Sequence, residues 1–281
     1  MIPTAFEYQR ATSVDDAIAK LKGGGKILAG GHSLVPLMKL RLSEPGVLID
    51  IARIPGLAGI RESGGTIEIG AATVHHDVAT SQLLRDKSPF VAEAASDIGD
   101  QQVRNRGTLG GSLAHSDPAA DYPAVMLALD ADIVLKGANG ARTVKAGAFF
   151  QGLFTVDLGS DEIITGVQFV PVKSAAYAKL HQRASHFAIV GVAAALDVKG
   201  GTIQSARVGL TGASTHAMRL SKVEAALAGK PLSKATIEAA AKDAGAEIAD
   251  INSDIHASAD YRRAMIPVFT RRALEAAMAR A

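Results

Sequence analysis

Gln102-Val-Arg-Asn-Arg-Gly-Thr-Leu-Gly-Gly-Ser-Leu-Ala-His-Ser-Asp-Pro-Ala-Ala-Asp121 is the stretch on which the reading of this chain turns. It carries three glycines, three hydroxyl side chains, two arginines and two aspartates. It lies in a polar segment, Gly99 to Asp121, that is too long for an ordinary connector, and loops of that length are usually functional. Gly107 to Ser112 is a candidate backbone nest, in which successive N–H groups converge on an anion. Thr108 and Ser112 can donate hydroxyl hydrogen bonds, while Asp117 and Asp121 can accept from ribose hydroxyls. The competing reading is a solvated loop in which Asp121 caps a helix beginning at Tyr122-Pro123.

A second glycine pair, Ala29-Gly30-Gly31-His32-Ser33, follows the apolar run Lys26-Ile-Leu-Ala29 and precedes helical spacing from Leu34 to Leu42. Glycines at the end of a strand let amide groups face an anion, with a helix N-terminus behind them. Alone, such a pair reads first as an ordinary tight turn between strand and helix. Two glycine nests in one domain suit a ligand with two phosphates. The dinucleotide fingerprint G-x-G-x-x-G is absent, and Gly25-Lys26 is followed by Ile27, which rules out a P-loop. His32 and His115 lie inside the two loops, placed for ligand contact. His75 and His76 point apart on either a strand or a helix and have no ligating partner three or four residues on, so a surface pair is expected. Arg262, Arg263, Arg271 and Arg272 are expected on a solvated helix face. No Ser-His-Asp set or carboxylate pair is evident from the spacings.

The chain has 281 residues, 48% of them hydrophobic, enough for about two domains with a sizeable core. Its 30 basic and 28 acidic residues leave a net charge of +2, which argues against a nucleic-acid binder. There is no cysteine, so disulfides, thiolate nucleophiles, Cys-ligated zinc and iron–sulfur clusters are excluded within this chain. The N-terminal residues lack the pattern of a secretory signal, and no run reaches the ~18 apolar residues of a membrane span. A cytoplasmic protein without an integral membrane segment is expected.

Around the two loops the pattern is α+β. Ser13-Val-Asp-Asp16 caps a predicted helix, and Val47-Leu-Ile-Asp50 is a second strand, giving a β-α-β-type opening unit of about 50 residues. Thr66–Gly70 and Asp132–Lys136 read as strands, as does Glu162–Val170; Thr73–Leu84 and Ser88–Ile98 read as helices. After Pro171 the character changes. Three antiparallel strands are predicted at Tyr177–Arg183, Val190–Val198 and Ile203–Leu210, followed by three Ala-rich helices at Arg219–Ala228, Ser233–Ala246 and Ser258–Ala279.

Ala29-Gly-Gly-His-Ser33 and Thr108-Leu-Gly-Gly111, with Ala114-His-Ser-Asp-Pro-Ala-Ala-Asp121 after them, resemble the flavin-binding medium subunit of the molybdenum hydroxylases. That family includes carbon monoxide dehydrogenase and is related to the FAD domain of xanthine dehydrogenase. The opening Met1-Ile-Pro and the closing Tyr261–Arg272 are similar too, so the resemblance covers essentially the whole chain. It implies a two-part FAD-binding domain of the vanillyl-alcohol-oxidase (PCMH) type over 1–171, with parts of about 1–55 and 56–171. A C-terminal domain of three antiparallel strands and a helical bundle follows over 175–281. It also implies site residues. Ala29, Gly30, Gly31, His32, Ser33 and Leu34 would hold the FAD pyrophosphate through backbone amides, together with Thr108, Leu109, Gly110, Gly111 and Ser112. Asp121 would stand near the adenosine half. Ile98 and Ile164 would line the flavin pocket, with Lys179 and Phe187 beside the isoalloxazine. Ser185-His186-Phe187 departs from the Gly-Asp-aromatic run of relatives.

The resemblance further implies an electron-transfer role with no catalytic acid or base in this chain. Substrate would be oxidised at a molybdenum cofactor on a large subunit. Electrons would cross [2Fe–2S] clusters on a small subunit to FAD here, then pass to a quinone, NAD or oxygen. The implied assembly is a dimer of heterotrimers, a heterohexamer, of carbon monoxide dehydrogenase type. An aldehyde, xanthine or N-heterocycle dehydrogenase is the alternative within the class. A stand-alone flavin oxidase and a non-redox nucleotide-binding module are the alternatives outside it.

Overall fold

The computed structural model describes residues 1–281. The chain opens with β1 (Glu7–Arg10), α1 (Val14–Lys22), β2 (Lys26–Leu28), α2 (Leu34–Lys39) and β3 (Val47–Asp50). The three strands form a parallel sheet in the order β1-β3-β2. Ser13 accepts from the Asp16 N–H and so starts α1, with Asp15 and Asp16 in its first turn. β1 is not anticipated because Glu7–Arg10 has no apolar alternation. It is an exposed edge strand held by backbone pairing to β3.

A second unit holds β4 (Ile60–Ser63) and β5 (Thr66–Gly70), then α3 (His75–Thr80), α4 (Gln82–Lys87), α5 (Pro89–Ser96), α6 (Gln101–Arg104), α7 (Leu109–His115) and α8 (Asp121–Leu129). It continues with β6 (Asp132–Gly137), β7 (Gly140–Lys145), α9 (Ala146–Phe149), β8 (Phe150–Gly152), β9 (Thr155–Val156) and β10 (Ile163–Phe169). The antiparallel sheet runs β4-β5-β10-β6-β7. Two expectations change here. The single helix over 73–84 divides at Ser81, whose backbone is extended and whose hydroxyl accepts from the Leu84 N–H. The segment 99–121 is not plain loop: Asp100 caps α6 and Thr108 caps α7, each through a side-chain oxygen to the third amide on.

The last unit comprises β11 (Ala175–His181), β12 (Ala188–Lys199), β13 (Thr202–Thr211), β14 (Met218–Arg219), α10 (Ser221–Leu227), α11 (Lys234–Ala241) and α12 (Ala259–Met278). Its antiparallel sheet has a fourth strand beyond the three expected, since Met218 and Arg219 pair with Leu210 and Gly209. Two residues are too few to register as a periodic pattern. β12 is apolar without alternation because both its faces are covered. Val190, Val192, Ala194 and Leu196 join a core under the helices, whereas Ala193 and Ala195 join the core of the preceding unit. The alanine face lets α8 lie against β12 and β13. All nine residues of α8 are buried, which fits its all-round apolar composition. The approach is so close that a Cβ on Gly209 would run into the carbonyl oxygen of Ala124 and lie 3.0 Å from its carbon. No helix is long and apolar enough to cross a membrane.

The Gly209–Ala124 contact makes a test of how the two units are joined. Gly209→Ala should lower stability by about 1–3 kcal/mol, the usual range for overpacking. The thermal unfolding midpoint should fall accordingly. An unchanged midpoint would show that α8 can move off the sheet.

Candidate functional site

The two glycine loops meet backbone to backbone. A Cβ on Gly30 would strike the carbonyl oxygen of Arg106 and lie 2.8 Å from the Cα of Gly107. His32 Nε2 stands 3.2 Å from the Gln102 carbonyl oxygen, a second tie between the loops. Gly31 has φ +77°, the left-handed region that glycine adopts readily. The backbone bonds resume with Val35 N–H to Gly31 O at 2.9 Å. None of the six N–H groups from Ala29 to Leu34 donates to an acceptor within the protein, and Ser33 makes no side-chain cap. Six successive donors without a protein partner, on a turn that is half-buried except at His32 and Ser33, can receive an anion.

The second loop differs from its expected mode. Its amides are already engaged. Leu109 N–H donates to Thr73 O at 3.0 Å and Gly110 N–H to Ala71 O at 2.8 Å. Gly111 N–H donates to Thr108 Oγ1 at 3.1 Å and Ser112 N–H to Thr108 O at 3.0 Å. The glycines here serve close packing, since a Cβ on Gly110 would lie 2.6 Å from Ala71 Cβ. Thr108, Leu109 and Gly110 are buried; Gly111 and Ser112 are half-exposed.

A cleft of about 550 Å³ lies between the second unit and the C-terminal one, bordered by Val103 and by Ser112 of the second loop and by none of the residues from Ala29 to Leu34. That volume falls in the range of small-molecule sites, and a domain junction is a common place for one. Ile98, Ser112, Asp121 and Phe187 are brought together in its lining. Leu153, Asp254 and Arg262 also line it. Phe187 packs edge-on against His256, with ring centroids 5.4 Å apart. Ile164 is not among the lining residues. It sits in β10 opposite Leu135, within the first core. His115 is half-buried against Phe154, and burial lowers its pKa.

Asp121 and Lys179 form the charged centre. The helix cap is Ala120, so Asp121 is the first residue of α8 and does not cap it. Its buried carboxylate accepts from Tyr177 OH at 2.5 Å and from Lys179 Nζ at 2.9 Å. Lys179 Nζ also donates to the Asp97 carbonyl oxygen at 2.7 Å, with the Asp97 carboxylate 3.7 Å away. Burial pushes the Asp121 carboxyl above the usual carboxylate range, against the pull of the Lys179 ammonium and the Tyr177 hydroxyl. The arrangement ties α5 and α8 of one unit to β11 of the next and sets the Asp121 carboxyl, salt-bridged to Lys179 behind it, at the cleft wall.

Several residues at the site were not foreseen. His75 is buried, not on the surface. Its ring lies beneath Gly107, where an added Cβ would come within 2.8 Å of His75 Cδ2. Its Nδ1 and the hydroxyl of neighbouring Tyr122 have no protein partner, with the ring centroids 5.3 Å apart. Arg262 likewise is not on a solvated face. It is buried and donates to the carbonyls of Ile189 and Gly212 and to the Asp254 carboxylate. Arg263 donates to the Ile248 carbonyl, and Arg272 lies over the Phe269 ring.

Comparisons with known proteins follow this geometry. The family described as the FAD binding domain in molybdopterin dehydrogenase matches residues 4–173, and the CO dehydrogenase flavoprotein C-terminal domain matches residues 175–277. The carbon monoxide dehydrogenase medium chain of Hydrogenophaga pseudoflava is 43% identical, over 100% of this chain and 99% of that one. The glyceraldehyde dehydrogenase medium chain of Sulfolobus acidocaldarius is 37% identical, over 98% of this chain and 99% of that one. A solved structure of carbon monoxide dehydrogenase from Hydrogenophaga pseudoflava superposes with a TM-score of 0.96 at 44% identity, each chain covered in full.

His75 supplies a test of the buried layer under the loops. Burial pushes its pKa down to about 4 from 6.5, so it is neutral in the folded protein at pH 7. The unfolded chain binds the proton more tightly, and stability must fall as pH drops from 6.5 towards 4. The loss is about 3 kcal/mol over that window. His75→Asn should remove most of this acid sensitivity in denaturant titrations at pH 7 and near pH 4. Equal acid sensitivity in both proteins would contradict the buried neutral ring.

Proposed function

The chain belongs to the FAD-binding family of the molybdopterin dehydrogenases, and from that premise we propose that it is the electron-transfer FAD subunit of a heteromeric molybdenum hydroxylase of carbon monoxide dehydrogenase type. Its partners would be a large molybdenum-cofactor subunit and a small subunit with [2Fe–2S] clusters, in a dimer of heterotrimers. The name "medium chain", carried by relatives at 43% and 37% identity, supports partners both larger and smaller than this one. A cytoplasmic location goes with the same reading. The carbon monoxide type is favoured because that relative is the more similar of the two over the full length.

The observation that carries the proposal is the row of six amides from Ala29 to Leu34 without a protein partner, joined through Gly30 and His32 to the Gln102–Gly107 segment, whose Val103 lines the cleft together with Ser112 and Asp121. This donor set fits a diphosphate: a pyrophosphate needs many donors and no metal ligand from the chain, and such amide nests bind phosphates. Ala29, Gly30, Gly31, His32, Ser33 and Leu34 would hold the diphosphate. Gly111 and Ser112 would close the cleft beside it. Thr108, Leu109 and Gly110 would keep that turn in place through the core. Asp121 would face polar groups of the ligand with Lys179 holding its carboxylate from behind, and Ile98 and Phe187 would exclude water from an aromatic ring. Ile164 would support this wall from within β10. When bound, FAD accepts electrons one at a time and hands them on in pairs. The chain's own task is then to position, insulate and charge-balance. We place the division between FAD-binding and C-terminal regions between Pro171 and Ala175, a placement supported by the separate core under α10–α12.

Purification of the intact complex tests this. The expected result is co-purification with a molybdenum subunit and a cysteine-rich iron–sulfur subunit, and one FAD per copy of this chain. A colourless chain that takes up no FAD overturns the reading. Gly30→Ala should lower FAD affinity at least about tenfold, or ~1.4 kcal/mol, because its Cβ forces the loops apart. Gly147→Ala is the control, since an added Cβ there meets nothing within 4 Å. Equal FAD content in both variants would refute the cradle.

A further inference from the structure

Beyond the Asp121–Lys179 pair, the charged contacts continue outward to solvent. His181 Nε2 lies 2.7 Å from Asp97 Oδ1, and both side chains are about two-fifths exposed, at 41% and 37%. Asp97 holds Lys179 through its carbonyl and carboxylate, and Lys179 holds Asp121 at the cleft wall. The Lys179 side chain is fully buried. A chain of polar contacts thus joins one solvent-facing imidazole to the wall of the cleft. The remaining titratable group recorded against His181 is His186, whose ring meets it edge-on at 5.6 Å.

Counted by formal charge, the carboxylates of Asp97 and Asp121 and the ammonium of Lys179 leave one net negative charge. A protonated His181 cancels it. This matters because iron–sulfur carriers deliver electrons without protons. Part of the charge added to the cleft is then balanced by a proton drawn from solvent, and the fully buried Lys179 between the two ends leaves that interaction less screened than in water.

We infer, resting on the functional reading above, that His181 is a redox-linked proton site, taking up one proton from water when a pair of electrons reaches the cleft and releasing it when the pair leaves. Nε2–H donates to Asp97, so the incoming proton binds at Nδ1 and no bond other than N–H is made or broken. The electrons come from the iron–sulfur carrier, the proton from solvent. His181 does not line the cleft. It acts through Asp97 and Lys179, as a positioning residue for charge. Linkage makes the effect reciprocal: electrons raise the proton affinity of His181, and its proton raises the electron affinity of the cleft.

The test is the two-electron midpoint potential of the flavin in the purified complex, followed by spectroelectrochemistry from about pH 5 to 8, the range in which histidine titrates. Wild type should show a segment steeper by one proton per electron pair. That is a tenfold change in equilibrium per pH unit, about 30 mV for a two-electron couple. His181→Gln keeps a donor for Asp97 and should lose the segment at unchanged FAD content. His186→Gln should keep it. Asp97→Asn should move it to lower pH, because the carboxylate that favours the imidazolium is gone, and it carries the test should His181→Gln lose its flavin. Superimposable profiles for wild type and His181→Gln overturn the inference, and so does a wild-type profile without the segment. A complex lacking flavin overturns the functional reading and this inference together.

Discussion

The contact between Gly30 and the Arg106–Gly107 peptide is the constraint from which the rest of the site follows. Two stretches of backbone separated by some 75 residues touch with no side chain between them. Beneath them the His75 ring fills the space under Gly107, so loop, loop and imidazole form one stack. Pinned in this way, the turn from Ala29 to Leu34 cannot fold back to satisfy its own amides. Donors on the half-buried residues Ala29, Gly30, Gly31 and Leu34 that lack a protein partner cost free energy to the extent that they are shielded from water. They persist here because the neighbouring structure over-determines the turn. Such an arrangement is pre-organised for an anion, which binds without waiting for the loop to reorder.

The same logic explains why two similar glycine motifs do different work. The Thr108–Ser112 turn has its amides occupied by Thr73, Ala71 and Thr108 itself, so its glycines allow close packing against the core. It supplies a firm floor, and the Ala29–Leu34 turn supplies donors. The cleft is completed from the other side by Ser185, Phe187, Gly212 and Arg262, while Lys179 of β11, behind that lining, reaches Asp121 across the junction. Because Gly209 lets α8 settle on β13, the packing of the two units and the geometry of the ionised pair are one structural feature.

What could be read from the residues divides along physical lines. Local signals were legible: the capped start of α1, the paired glycine turns and the change of character after Pro171. The resemblance to the flavin-binding family rested on those same motifs, and the family match bears it out. What escaped depends on distant partners. Nothing near Leu109 or Gly110 reveals that carbonyls at 73 and 71 accept their protons. His75 and His76 diverge on a helix, but which of them turns inward is decided by Gly107. Arg262 sits within a run of basic residues typical of a solvated face, and only the carbonyls of Ile189 and Gly212 draw it inside. For Asp121, a cap and a ligand-facing acid were both open. A helix start one residue earlier removes the cap, and Tyr177 and Lys179 supply the partners.

The central claim is that the Ala29–Leu34 amides are free donors that close on a diphosphate. Amide hydrogen exchange on the complex, compared with and without its flavin, measures this directly. Those six amides should exchange rapidly without FAD and become strongly protected with it. The amides from Leu109 to Ser112, already bonded within the protein, should be protected in both. Rapid exchange from Ala29 to Leu34 in the flavin-loaded complex would contradict the account.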